Sequence, residues 1–181
     1  MKKLLICFLG LYLIGCSTAV SKEQANKSKT NEYSAPLPTE IVGLKTGLII
    51  KHNVDTVFAT INTKDPEKWG KYQLQFTTSV STIDKEVKII EFGGYMLKGD
   101  TWVFTSIYDR PFNSEEFEKW YKSPGSKIKI GETFSDTDNW LAKTNNLNGR
   151  EIKSLWYFIG LTDDGEKLIG ISEVMGILEM K

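Results

Sequence analysis

His52 is the only histidine in a chain of 181 residues, and both cysteines, Cys7 and Cys16, lie within the first sixteen positions. One imidazole excludes paired-histidine metal sites and any mechanism that needs two, and a chain without thiols beyond residue 16 has no later disulfide, cysteine nucleophile or thiolate metal site. A Ser-His-Asp arrangement would have to recruit His52, yet no Gly-x-Ser-x-Gly elbow occurs. His52-Asn53-Val54-Asp55 reads instead as a turn, which predicts a solvated His52. Neither a Gly-x-x-x-x-Gly-Lys phosphate loop nor a dinucleotide fingerprint is present, so no cofactor is implied and no catalytic residue is assigned.

Oxygen ligands and aromatic rings are what remain. Asp136, Asp138 and Asn139 form a short Asp-x-Asp-Asn cluster that could hold Ca²⁺ in a loop. It lacks the later Glu of an EF-hand, and turns made by Asx side chains account for the pattern more simply, so no metal is assigned. Carboxylates such as Glu86, Glu91 and Asp109 leave a carboxylate-dependent hydrolase as the least supported reading, because spacing alone cannot set two acids at a working separation. Of the five tryptophans, Trp102 and Trp156 fall in strand patterns and Trp120 on a helical face, as core residues do. Trp69 and Trp140 sit beside polar residues and are the candidates for exposed platforms that stack on a sugar or a partner protein.

Lys and Arg equal Asp and Glu at 23 each, which gives no basic excess to neutralise phosphates and argues against nucleic acid as a ligand. Lys2 and Lys3 precede an apolar run over residues 4–14, too short against the ~20 residues of a spanning helix but suited to a signal h-region. Leu13-Ile14-Gly15-Cys16 then resembles the lipobox of bacterial lipoproteins. The resemblance implies cleavage after Gly15, a diacylglyceryl group on the Cys16 sulfur and acylation of the new N-terminus. At about 0.8 kcal/mol per buried methylene, such an anchor on the bilayer would be effectively permanent. Ser17, rather than Asp, after the cysteine implies the outer membrane in a double-membraned host, and otherwise the outer face of the cell membrane. Loss of residues 1–15 removes Lys2 and Lys3 and leaves 21 basic against 23 acidic groups.

Residues 17–40 are rich in Ser, Thr, Lys, Asn and Pro and predict, with Cys16, a disordered tether. Residues 41–181 then read as a single β-rich domain. Runs over 48–50 and 57–61 flank the His52 turn and predict a hairpin. Strict alternation over 72–80 predicts a strand with one buried face. Residues 87–97 and 101–107 pair around Gly99, and 154–161 and 167–174 around Gly165. Gly93-Gly94, inside a strand pattern, suggests a bulge or bend. One helix interrupts: Asn113 caps it, Glu116 completes a capping box, Phe117, Trp120 and Tyr121 form its apolar face, and Pro124-Gly125 ends it.

These patterns predict an antiparallel β-sandwich of immunoglobulin-like or Greek-key type with one short helix, a small β-barrel being the alternative. Anchor, tether and missing catalytic groups together predict a non-enzymatic envelope lipoprotein whose β domain binds or supports a protein partner. A glycan- or peptidoglycan-binding module that uses Trp69 and Trp140 is the alternative.

Overall fold

The structure, a computed structural model, describes residues 33–181; the lipobox, Cys16 and the first part of the expected tether lie outside the described residues. The chain forms β1 (Lys45–Thr46), β2 (Leu48–His52), β3 (Thr56–Phe58) and β4 (Thr60–Ile61), a single helical turn α1 (Pro66–Trp69), then β5 (Tyr72–Thr82), β6 (Val87–Lys98), β7 (Thr101–Thr105) and β8 (Phe112–Asn113). Helix α2 (Ser114–Tyr121) follows, then β9 (Lys127–Ile128), β10 (Thr133–Thr144), β11 (Glu151–Leu161) and β12 (Lys167–Ile177).

The strands form two sheets in a β-sandwich, and they do not close into a barrel. In the larger sheet β12, β11 and β6 are long central strands, and their outer edges are completed piecewise. Short β1 and β3 lie along β12, while β7, β8 and β9 share the far edge of β6. The smaller sheet is β10–β5, with β2 and β4 sharing the other edge of β5. The β6–β7 and β11–β12 hairpins fall where Gly99 and Gly165 predict them, and both glycines take positive φ, which L side chains adopt only at a cost.

The region around His52 departs from its sequence pattern. Residues 48–50 and 57–61 do not pair as a hairpin: β2 joins β5 in the small sheet, and β3 joins β12 in the large one, in parallel. From β1 to β4 the chain passes from sheet to sheet at every step, closing one side of the sandwich. At these crossings Val57 of β3 enters the shared core and Ala59, between β3 and β4, is small enough to turn inside it, while both residues of β1 and of β4 are exposed. The parallel pairing of β1 and β3 also departs from an all-antiparallel sheet. Gly93-Gly94 is not a bulge: the irregularity in β6 falls earlier, where Ile90 is skipped between Glu91 and Ile89 in the register against β11.

Two apolar layers result. Between the sheets lie Leu74, Phe76, Val80, Phe92, Trp156 and Phe158 with the α2 side chains Phe117 and Tyr121. On the outer face of the large sheet, Tyr95, Trp102, Leu155, Tyr157, Ile159 and Ile169 make a second cluster. β11 is thus buried on both faces, which explains its nearly unbroken apolar run. Residues 33–40, expected in the tether, lie along that outer face: Tyr33, Ala35 and Leu37 pack on the cluster. Glu173 accepts from the Ser34 amide and hydroxyl, each at 2.7 Å, and the Trp102 indole donates to the Ala35 carbonyl at 3.3 Å. The apolar residues sit at alternate positions in the polar tract, and so few of them escape a compositional reading while sufficing to cover a waiting aromatic face.

Candidate functional site

A cleft of about 620 Å³ opens where α2 meets the ends of both sheets. Its back wall is the inner face of β6 and β11, with Phe92, Gly94, Met96, Ser154 and Trp156. Its sides are Trp120 and Tyr121 of α2, the capping Lys122 and Asp136–Leu141 of β10, and Ile107 and Tyr108 stand at its mouth. Helix α2 is set rigidly. The Asn113 side chain accepts from the Glu116 amide at 3.1 Å, and the Glu116 carboxylate accepts from the Asn113 amide at 2.7 Å, the predicted capping box. Arg110 grips the same carboxylate through both guanidinium nitrogens at 2.9 and 2.7 Å, holding the Glu116 carboxyl below its usual range and tying the mouth loop to the helix. At the other end Lys122 turns left-handed, and its ammonium donates to the Lys119 carbonyl at 2.6 Å.

β10 carries the polar side of the cleft, and its sequence hides the strand. Asp136 Oδ1 accepts from the Asp138 amide at 2.9 Å, as Asx-turn chemistry predicts, but the turn is a bulge within a strand: the register against β5 jumps between Asp136 and Asn139 and again between Trp140 and Ala142. The bulges re-aim successive side chains. Asn139 turns inward and donates to Thr78 Oγ1 at 2.8 Å. Asp138 turns outward, where Lys64 at 2.6 Å and Gln75 Nε2 at 2.9 Å occupy its two oxygens. The two aspartates therefore do not share a ligand position, and among the described residues no three His, Cys, Asp or Glu side chains converge as a metal site would require. Asp136 stays on the cleft wall, its carboxyl pushed up by burial against the weaker pull of Lys122 and Lys64. Other carboxylates are engaged elsewhere: Glu91 accepts from the Tyr157 hydroxyl at 2.9 Å on the outer face, and Glu86 lies 3.7 Å from Lys127.

His52 ends β2 and points inward rather than into solvent, correcting the turn assignment. Its ring meets Phe76 edge-on at 5.1 Å, and Nδ1 lies 3.1 Å from the fully buried Thr78 hydroxyl. Burial holds its pKa at about 4; the Ser172 backbone and Asp55 oppose this less strongly, and no group meets Nε2 in hydrogen-bond geometry. The imidazole is neutral at pH 7 and Thr78 is sealed from solvent, so the pair presents no nucleophile.

Three buried polar atoms among the described residues lack a hydrogen-bond partner: His52 Nε2, Tyr121 Oη and Trp156 Nε1. All three belong to side chains around Phe76 and Thr78. Trp156 meets Phe76 at 6.1 Å, and the Tyr121 hydroxyl lies near Thr78 without reaching bonding geometry. An unmet buried polar group costs about 1–3 kcal/mol, and native proteins keep few of them. No spacing in the sequence announces this cluster. Its members come from β2, α2 and β11, and only the packing unites them.

The two tryptophans singled out from sequence do come together. Trp69 ends α1 and Trp140 lies on β10, and their rings meet at 6.4 Å with a 50° tilt. The ammonium of Lys143 stands 5.1 Å from the Trp140 ring and 5.7 Å from Trp69, and Lys68 lies 4.8 Å from Trp69. Trp69 is 39% exposed, while Trp140 is half-buried and also lines the cleft. Trp102, Trp120 and Trp156 pack in the two apolar layers. The site is thus an aromatic rim continuous with an aromatic cleft, with one unpaired carboxylate on its wall. Comparison of the chain with known protein families, with characterised proteins and with solved structures finds no match.

Proposed function

We propose that the chain is an envelope lipoprotein, anchored through an acylated Cys16, and that its sandwich is a binding module rather than an enzyme, with a glycan of the envelope as its ligand. The observation that carries the glycan is the Trp69–Trp140 pair. Two indole rings from distant parts of the chain, one partly exposed and one half-buried, form a bent platform at the rim of a cleft. Sugar rings stack on such platforms through their apolar C–H faces while their hydroxyls are met by nearby polar groups. Here Lys143, Asp136 and Thr137 supply those groups within the same rim. The lipid anchor comes from the lipobox resemblance of residues 13–16.

Exposed Ile107 and Tyr108 at the mouth favour a second reading, a protein partner seated on the same end of the sandwich. Purified peptidoglycan sacculi and defined oligosaccharides test the first reading. Wild type should sediment with sacculi and Trp69→Ala and Trp140→Ala should not, while unchanged sedimentation of both variants removes the glycan role. Chemical cross-linking in the native envelope tests the second, which predicts one stoichiometric protein adduct at position 107 or 108. For the anchor, Cys16→Ala should release the chain from membranes into the soluble fraction; retention in membranes at an unchanged mass rejects the lipid attachment.

A further inference from the structure

The edges of the two sheets are guarded unequally. Along β12 the edge is covered by β1 and β3, and β10 blunts its own with Asp136, Asp138, Lys143 and two bulges. β7 has neither device. Among the described residues no strand pairs with its far side, and from Thr101 to Tyr108 the sequence carries no charge, proline or glycine. Natural sheets protect their edges with such residues, and an unguarded edge is a template for another strand. The register fixes which groups are free. Lys98 faces Thr101 across the two-residue Gly99-Asp100 turn, so Thr101, Val103 and Thr105 hydrogen-bond to β6, whereas Trp102 and Phe104 turn their backbone N–H and C=O to the open side. Their rings lie in the outer apolar layer, Phe104 edge-on to Tyr95 at 5.6 Å, while Val103 is 37% exposed.

We propose that β7 pairs antiparallel with β7 of a second copy of this chain, joining two large sheets into one across a twofold axis at Val103. The occupant follows from the strand's own sequence. Thr-Trp-Val-Phe-Thr reads nearly the same in both directions, so an antiparallel copy sets Thr101 against Thr105, Trp102 against Phe104 and Val103 against itself. Such self-complementarity is what a twofold contact between identical chains requires. Trp102 and Phe104 are also the residues with free backbone groups, so this register closes four hydrogen bonds, and a slip of one residue loses them. The aromatic pairs extend the outer layer from one copy to the next, and the Thr–Thr and Val–Val pairs meet on the opposite face. The contact needs no saccharide and uses neither Trp69 nor Trp140, so it stands or falls apart from the glycan reading.

The test uses the full chain, purified in detergent and placed in liposomes that hold no other protein, under mild oxidation, with wild type as the control for Cys7 and Cys16. Val103→Cys should form a disulfide dimer, since the twofold pair brings its two Cα atoms to about 4.5 Å. Thr101→Cys and Thr105→Cys should each stay monomeric, because the same residue in the two copies lies about 14 Å apart, yet they should link to each other when the two variants are mixed. Val103→Lys added to both members of that mixed pair sets like charges face to face and should slow their cross-linking at least tenfold. A Val103→Cys chain that stays monomeric, links no faster than Thr101→Cys alone or runs as a ladder beyond the dimer overturns the proposal, as does mixed-pair linking that Val103→Lys leaves unchanged. A Val103→Cys adduct to a different protein in the native envelope, with none to its own kind, also overturns it and gives the edge to another partner. The mixed pair decides the matter even if Val103→Cys does not fold.

Discussion

Trp156 and Tyr157 are neighbours on β11 and point to opposite faces of one sheet, yet the fold treats them differently. On the outer face the Tyr157 hydroxyl donates to Glu91 at 2.9 Å and the Trp102 indole to the Ala35 carbonyl at 3.3 Å. The segment over residues 33–44 covers the rings, and the polar tips of Tyr157 and Trp102 are met. On the inner face the Trp156 indole and Tyr121 hydroxyl are equally buried and have no partner. Residue types are the same and burial is the same. What separates the two layers is polar satisfaction, because a buried donor left unmet is stable only where some other gain sustains it.

The largest expected effect tests how completely the outer layer is finished. Trp102→Ala should cost about 3–5 kcal/mol in chemical denaturation, since it removes a buried ring and the hydrogen bond that holds the covering segment at Ala35. A loss under 1 kcal/mol would mean that residues 33–40 do not seal that face.

Next in size is the pH dependence, in which the two faces fail at opposite ends. His52, on the inner side, is held at about 4 against an ordinary 6.5, so between these values the unfolded chain binds a proton that the folded chain refuses. Stability is then fully present above about pH 6.5 and falls as pH drops towards 4, by up to about 3 kcal/mol. His52→Asn should flatten that slope. On the outer side burial, with Glu40 and Glu91 nearby, pushes Tyr95 up to about 12 and Tyr157 in the same direction. There the folded chain keeps a proton that the unfolded chain loses, so stability is present below about pH 10 and is lost as pH rises through 12. Denaturant midpoints across pH, in wild type and His52→Asn, check both limbs.

A matched pair of single-atom deletions sharpens the contrast. Tyr157→Phe strips Glu91 of its donor and should cost about 1.5–3 kcal/mol, the worth of a hydrogen bond to a charged group. Tyr121→Phe removes an oxygen with no partner and should be neutral or raise the melting temperature. Equal losses for the two would erase the distinction between the faces. The smallest effect is expected at the rim: Trp69→Ala should change stability by less than about 0.5 kcal/mol, as surface substitutions do. Destabilisation beyond 1 kcal/mol would make that ring a structural residue and not a platform.

Where local chemistry rules, the sequence could be read directly. The capping box of Asn113 and Glu116 formed as written, because both partners lie within one helical turn. The alternation over β5 matched its buried face, and the glycine turns of the two long hairpins closed as expected, since period and turn geometry are set by adjacent residues. β10 escaped notice because Asp136, Asp138 and Asn139 are turn formers in isolation, and bulges let a strand absorb them. The His52 segment misled for a related reason. Two β-branched runs around polar residues look like a hairpin, whereas here each run finds a longer strand in a different sheet.

By itself the sequence determined a β-rich domain, its helix and two of its hairpins, all consequences of contacts between near neighbours or of side-chain period, and it only nominated Trp69 and Trp140 from their polar neighbours. Only the tertiary structure decided that Trp69 and Trp140 meet, that His52 is half-buried and neutral, and that Trp156 and Tyr121 lie along a cleft with their polar atoms unmet. Those properties depend on which strands meet and on what each buried atom finds beside it, and such pairings across a hundred residues leave no periodic mark on the chain.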